Sequence, residues 1–161
     1  MSYTLKSMFF DPMFMDPSGG LKYHWTAYRR RNGPWAPHQR AVRQLLTDWG
    51  PRGCARLVLI GPSAGYSLPA EFFTQFRLIR VLEPDRMARI LLTRRFPRVR
   101  FEFIDRPRDL MNRLDGQDAV LFCNMLGQLS LSPAMELPDV RAEFKQLAAR
   151  VELLCTWASF H

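Results

Sequence analysis

A chain of 161 residues, 47% of them apolar, is long enough to bury a core as one domain and too apolar to be disordered. No stretch approaches the ~18 uninterrupted apolar residues of a membrane span, and the N-terminus lacks an apolar run behind a basic start, so neither a membrane span nor a signal peptide is expected. The net charge of +8, carried almost entirely by scattered arginines, fits an anionic partner or simply a solvated basic surface.

Residues 1–36 read as an N-terminal arm. It carries the turns Asp11-Pro12 and Asp16-Pro17, a Ser-Gly-Gly bend, several aromatic residues and the cluster Arg29-Arg30-Arg31. Aromatics beside arginines suit a stacked-base or polyanion site. They equally suit an arm that packs on the domain with its charged tips in water. The domain proper is expected over 37–161. Ala41, Val42, Leu45, Leu46 and Trp49 recur at helical spacing, and Gly50-Pro51 stops that run.

Leu57 to Ile60 is a short, apolar, partly β-branched run of the kind a buried strand uses. The turn Gly61-Pro62-Ser63-Ala64-Gly65 follows, and a helix is expected to start near Ser67 to Pro69. Small residues at 61, 63 and 65 let backbone approach a ligand, and the N–H groups of that helix would face an anionic group. Leu78 to Leu82 is a second strand, ending at Glu83, about 20 residues from Gly61. Dinucleotide-type folds space their ligand loop and ribose-binding acid in this way.

Asp85 can cap a helix through Arg95 with Ala88, Leu91 and Leu92 inward. Val99 to Ile104 reads as a third strand followed by Asp105 and Arg106, and Asp118 to Cys123 as a fourth followed by Asn124. Pro138 to Arg150 is an amphipathic helix, and Val151 to Phe160 a fifth strand, apolar on both faces as a central strand would be. Strands alternating with helices predict an α/β, Rossmann-like three-layer sandwich with a mostly parallel sheet of about five strands. In such sheets ligands bind beyond the carboxyl ends of the strands, where Gly61, Ser63, Gly65, Glu83, Asp105 and Asn124 all fall.

Cys54, Cys123 and Cys155 are odd in number and far apart, which fits buried thiols in a reducing cytoplasm better than a disulfide framework. His24, His38 and His161 show no ligand spacing, so no metal is expected.

The nicotinamide fingerprint G-x-G-x-x-G is not met, since Ser63 and Tyr66 stand at its second and third glycines. The spacing Gly61-x-Ser63-x-Gly65 resembles instead the G-x-G-x-G loop of class I S-adenosylmethionine (SAM)-dependent methyltransferases, and Glu83-Pro84-Asp85 resembles that family's second motif. The strings LVLIGPSAGYSLP, VLEPDRMAR and DAVLFCNMLGQL resemble a little-characterised bacterial branch of methyltransferase-like proteins. The resemblance covers residues 37 to 160. It departs from the pattern at Leu59, where the family often has an acid two residues before the first glycine.

The resemblance implies SAM as cofactor, with Gly61, Ser63 and Gly65 under its methionine part and Glu83 on the ribose diol. Asp105 or Arg106 would border the adenine, and Asn124 would position the methyl group and acceptor. It names no catalytic base. The acceptor is left open among an RNA base, a protein side chain and a small metabolite. Tyr23, Trp25, Arg29 to Arg31 and Trp35 would cover the mouth of the site. The family's sheet has seven strands and only five are counted here, so a shortened domain is expected. Its fifth-strand edge would be covered by a second copy or by the arm. The alternative is a non-catalytic interaction domain of methyltransferase shape that has lost SAM.

Overall fold

In a computed structural model of the chain, residues 25–26, 29, 33, 35–123 and 138–160 are described, with the side chains of 138–141 left aside. The elements run in the order α1 (Ala36–Trp49), β1 (Arg56–Ile60), a 3-10 helix (Ala70–Gln75), β2 (Leu78–Leu82) and α2 (Arg86–Arg95). They continue with β3 (Phe101–Ile104), α3 (Pro107–Met111), β4 (Asp118–Cys123), α4 (Pro138–Leu154) and β5 (Thr156–Phe160). The five strands form one sheet in the order β3-β2-β1-β4-β5, and every pairing is parallel. This is the Rossmann-like α/β sandwich that the alternating pattern predicts.

Side-chain alternation along the strands sorts the core into two halves. Leu57, Leu59, Ile79, Val81, Leu121 and Phe160 face a layer made by α1, the 3-10 helix and α2. Val58, Ile60, Leu82, Val120 and Phe122 face α3 and α4. β1 and β4 are buried on both faces, as central parallel strands must be. An aromatic group closes the first layer toward β3: Phe73 stands edge-on to Phe96 at 4.8 Å and to Phe101 at 5.8 Å.

Four sequence expectations are corrected. The segment after the β1 loop is not an α-helix from Ser67 to Pro69 but a 3-10 helix beginning at Ala70, which buries Phe72 and Phe73. Residues 151–154 belong to α4, because Val151 continues the buried stripe begun by Leu147, and β5 starts only at Thr156. β5 is an edge strand of the described sheet, as expected, but it is not apolar and buried on both faces, since Thr156 and Trp157 are exposed. Of the proposed covering arm, residues 1–36, only 25–26, 29, 33, 35 and 36 are among the described residues. β3 begins at Phe101, two residues later than expected, and α3 was not foreseen.

At the amino ends of the strands a charged layer ties the sheet together. Asp118 is fully buried, accepts from Arg56 Nε at 2.7 Å and from the Asp115 backbone N–H at 2.8 Å, and lies 3.6 Å from Arg80. Arg80 reaches on to Glu102, which Arg113 also contacts. Removing one member of a buried pair leaves its partner charge uncompensated, at about 3–5 kcal/mol. Asp118→Ala is therefore expected to lower unfolding stability by about 3 kcal/mol. A urea titration checks this, and an unchanged midpoint would contradict it.

Candidate functional site

The carboxyl ends of β1 and β2 stand side by side, with Ile60 opposite Leu82. The chain leaves β1 through a loop in which Gly61 (φ 63°), Ser63 (φ 53°) and Gly65 (φ 66°) are all left-handed. Gly61 donates its N–H to the Leu82 carbonyl at 2.9 Å, fastening the loop to β2. Ser63, standing where the family pattern has glycine, holds a conformation costing a non-glycine residue about 1–3 kcal/mol.

Glu83 supplies the compensation. Its side chain is almost fully buried; Oε2 accepts the Ser63 N–H at 2.8 Å and Oε1 the Asp85 N–H at 3.1 Å. A hydrogen bond to a charged acceptor is worth about 1.5–3 kcal/mol, enough to hold Ser63 in its strained geometry. Glu83 is thus fixed between the two strand tips rather than projecting into solvent.

Gly65 borders the small cleft beside the loop, but its missing side chain points elsewhere. A Cβ there would lie 2.7 Å from Leu92 Cδ1 and 2.9 Å from Phe96 Cε2, so it would enter the core and not a ligand's path. Gly65 lets the loop sit down on α2. Tyr66 then leans outward, with the Arg95 guanidinium 5.5 Å above its ring and the Arg95 Nη2 3.4 Å from its carbonyl.

Past β2, Asp85 caps α2 by accepting the Met87 N–H at 2.8 Å, as predicted. One turn on, Arg89 donates through Nε to the Glu83 carbonyl at 2.5 Å and through Nη1 to Asp105 at 2.8 Å, with its guanidinium 5.3 Å from the Phe103 ring. Arg89 therefore joins the β2 tip to the β3 tip. The sequence reading missed it, although the four-residue step from a capping acid was the available signal. Asp105 is exposed and paired with Arg89; Arg106 is exposed and precedes α3, its carbonyl accepting two N–H groups of that helix. Asn124 lies outside the described residues.

Beside the loop, Trp35, Ser63, Tyr66, Leu68, Cys123 and Phe160 line a small cleft. Cys123, at the end of β4, was not foreseen there. Its thiol is buried, and burial together with the nearby Glu83 charge pushes its pKa well above the ordinary value.

The structure brings Gly61, Ser63, Gly65 and Glu83 into one place, with Asp105 joined to them through Arg89. Against solved structures, the chain is similar to magnesium protoporphyrin IX methyltransferase (ChlM) from Synechocystis PCC 6803 with bound SAM. The identity is 16% and the TM-score 0.53, covering 92% of this chain and 72% of that one. The same enzyme with bound S-adenosylhomocysteine gives 16% identity and a TM-score of 0.52, covering 89% and 67%. The chain is also similar to SAM-bound CalS10, an amino pentose methyltransferase from Micromonospora echinaspora, at 22% identity and a TM-score of 0.48. It covers 88% of this chain and spans 57% of the length of CalS10. No protein-family profile and no curated protein sequence matches the chain. The fold is class I SAM methyltransferase-like.

Gly65→Val is accordingly expected to destabilise the whole domain, by steric entry into the Leu92–Phe96 contact and by strain at positive φ. Thermal melting checks it, and a variant that melts with the wild type would show that the loop can move aside.

The thiols give a second test. Burial raises the pKa of Cys54, and that of Cys155 to about 11, so all three are protonated at pH 8. Iodoacetamide at that pH should modify the folded protein slowly and the urea-unfolded protein quickly. Rapid labelling of folded Cys123 would contradict the burial of its thiol.

Proposed function

We propose that the chain binds SAM beyond the carboxyl ends of β1, β2 and β3 and transfers its methyl group to an acceptor. The observation that carries this is the buried Glu83 carboxylate, locked against the left-handed loop by two backbone N–H groups. A carboxylate held so firmly at a strand tip is placed to accept from vicinal hydroxyls. Each of its oxygens can take two hydrogen bonds, so one that holds an N–H can also receive a ribose hydroxyl.

The remaining residues fit the same group. Trp35, Tyr66 and Phe160 give the cleft aromatic walls, the surroundings that favour an onium cation. Gly61 and Ser63 present backbone at close approach, and Asp105 and Arg106 stand at the β3 tip where an adenine edge would lie. SAM, when bound, supplies an electrophilic methyl on sulfur. The protein's part is alignment, because in-line displacement gains most of its rate from held geometry. Asn124, directly after β4, is assigned the positioning of methyl group and acceptor.

Acceptors that remain in view are a small molecule, an RNA base and a protein side chain. The described residues contain no helix long and apolar enough to cross a membrane. We further propose that the β5 edge, unpaired among the described residues, pairs with a second copy or is covered by the N-terminal arm.

Calorimetry tests the cofactor assignment. Wild type is expected to bind SAM, and Glu83→Gln, which keeps side-chain shape but leaves one of the two backbone N–H groups without an acceptor, to melt at a lower temperature yet stay folded and to bind SAM about ten- to a hundred-fold more weakly. Equal affinity in the two proteins would remove Glu83 from the site. A wild type that binds neither SAM nor S-adenosylhomocysteine would favour the interaction-domain alternative.

A further inference from the structure

Six arginines and no acidic residue lie between Arg86 and Arg100, a local surplus close in size to the net charge of the whole chain, +8. Two of the six serve the fold: Arg89 joins the strand tips and Arg95 covers Tyr66. The other four, Arg86, Arg94, Arg98 and Arg100, are exposed. Arg89 within this stretch and Arg43, Arg56, Arg80, Arg108 and Arg113 outside it each have an acidic partner, whereas among the described residues these four make no ion pair.

Their placement forms a path. α2 leaves the carboxyl end of β2 and returns the chain to the amino end of the parallel strand β3. Arg86 therefore stands beside Asp85 at the candidate cofactor end, and Arg98 and Arg100 at the opposite end. Arg86 and Arg94 alone are separated by about 12 Å along the helix axis. We infer that this face, from Arg86 along α2 into the turn before β3, docks the sugar–phosphate backbone of a nucleic acid.

Unpaired guanidinium groups in a row suit phosphates, which they grip through two parallel N–H donors. An anionic membrane is the weaker occupant. It would call for protruding apolar groups, and between Arg86 and Arg100 the described residues offer one large exposed apolar side chain, Ile90. The exposed Leu153 lies on α4, in the opposite layer, and Trp157 on β5, at the far edge of the sheet. As a statement about binding this stands whether or not SAM is used; its extension to the methyl acceptor rests on the reading above.

The test is fluorescence anisotropy with a labelled single-stranded RNA oligonucleotide and a duplex DNA of equal length, over a salt series. Wild type is expected to bind at low salt, and preference for one probe names the source of the phosphates. The variant Arg94→Gln/Arg98→Gln/Arg100→Gln should bind the single strand at least about tenfold more weakly, with a log–log salt slope shallower by about 2. Arg40→Gln/Arg52→Gln, which removes exposed charge elsewhere, should bind more nearly as wild type does. Absence of binding to both probes, an unchanged slope in the triple variant, or tighter binding to phosphatidylserine vesicles than to either probe would overturn the inference. SAM calorimetry on the triple variant, expected to match wild type, keeps a failure here separate from a failure of the cofactor assignment.

Discussion

The Glu83 carboxylate is the constraint on which the candidate site depends. It is a buried anion, and a buried anion without partners would cost several kcal/mol. Its oxygens accept N–H groups from the β1 loop and from the start of α2, so one side chain fixes the relative placement of two strand tips. Ser63 can hold φ 53° because leaving it would cost Glu83 a partner. Arg89 closes the arrangement from outside by taking the Glu83 carbonyl and extending to Asp105. Loop, Glu83 and third strand tip thus form a single hydrogen-bonded unit.

The opposite end of the sheet uses a buried carboxylate for another purpose. Asp118 is held by arginine side chains and one backbone N–H, and its network reaches Glu102 and Arg113 without approaching the loop. Charges there meet opposite charges, whereas at the candidate site Glu83 meets backbone N–H groups. Two backbone N–H donors, one from the β1 loop and one from the start of α2, fix where the Glu83 carboxylate sits. Both are buried acids close to a strand end, one tying strands together through side chains and the other tying a loop to the start of a helix.

The strands were legible because each buried run is bounded by residues that cannot continue it. β2 spans Leu78–Leu82 and β4 Asp118–Cys123, as their apolar runs before Glu83 and Asn124 predict, and Asp85 caps α2. Illegibility has local causes. Leu147, Val151 and Leu154 keep helical spacing into a run that also reads as strand, and the helix persists until Thr156 finds its partner Ala119 in β4. α3 is too short to show a period. For the site, spacing identified the small residues but not their directions. That Gly65 turns its missing side chain toward Leu92 and Phe96 is a consequence of how α2 packs, which no loop motif encodes. Arg89 and Cys123 were hidden likewise, since their importance arises only once three strand tips are adjacent.

The distribution of positive charge follows the same logic. An arginine that packs against an acid contributes to the fold and little to the field outside it, because the pair's fields largely cancel beyond a Debye length. The six arginines with acidic partners are of that kind, so the chain's outward field is shaped by those without one. Between Arg86 and Arg100 no acid is present in the sequence to pair with them, and the helix–turn geometry keeps four guanidinium groups in water. The inner face of α2 meanwhile carries Ala88 and Leu92 into the core, and its first turn abuts Glu83. One helix therefore meets the core, the candidate cofactor site and an arginine-rich surface. A polyanion lying along it would be led toward the strand tips, where the proposed methyl transfer takes place.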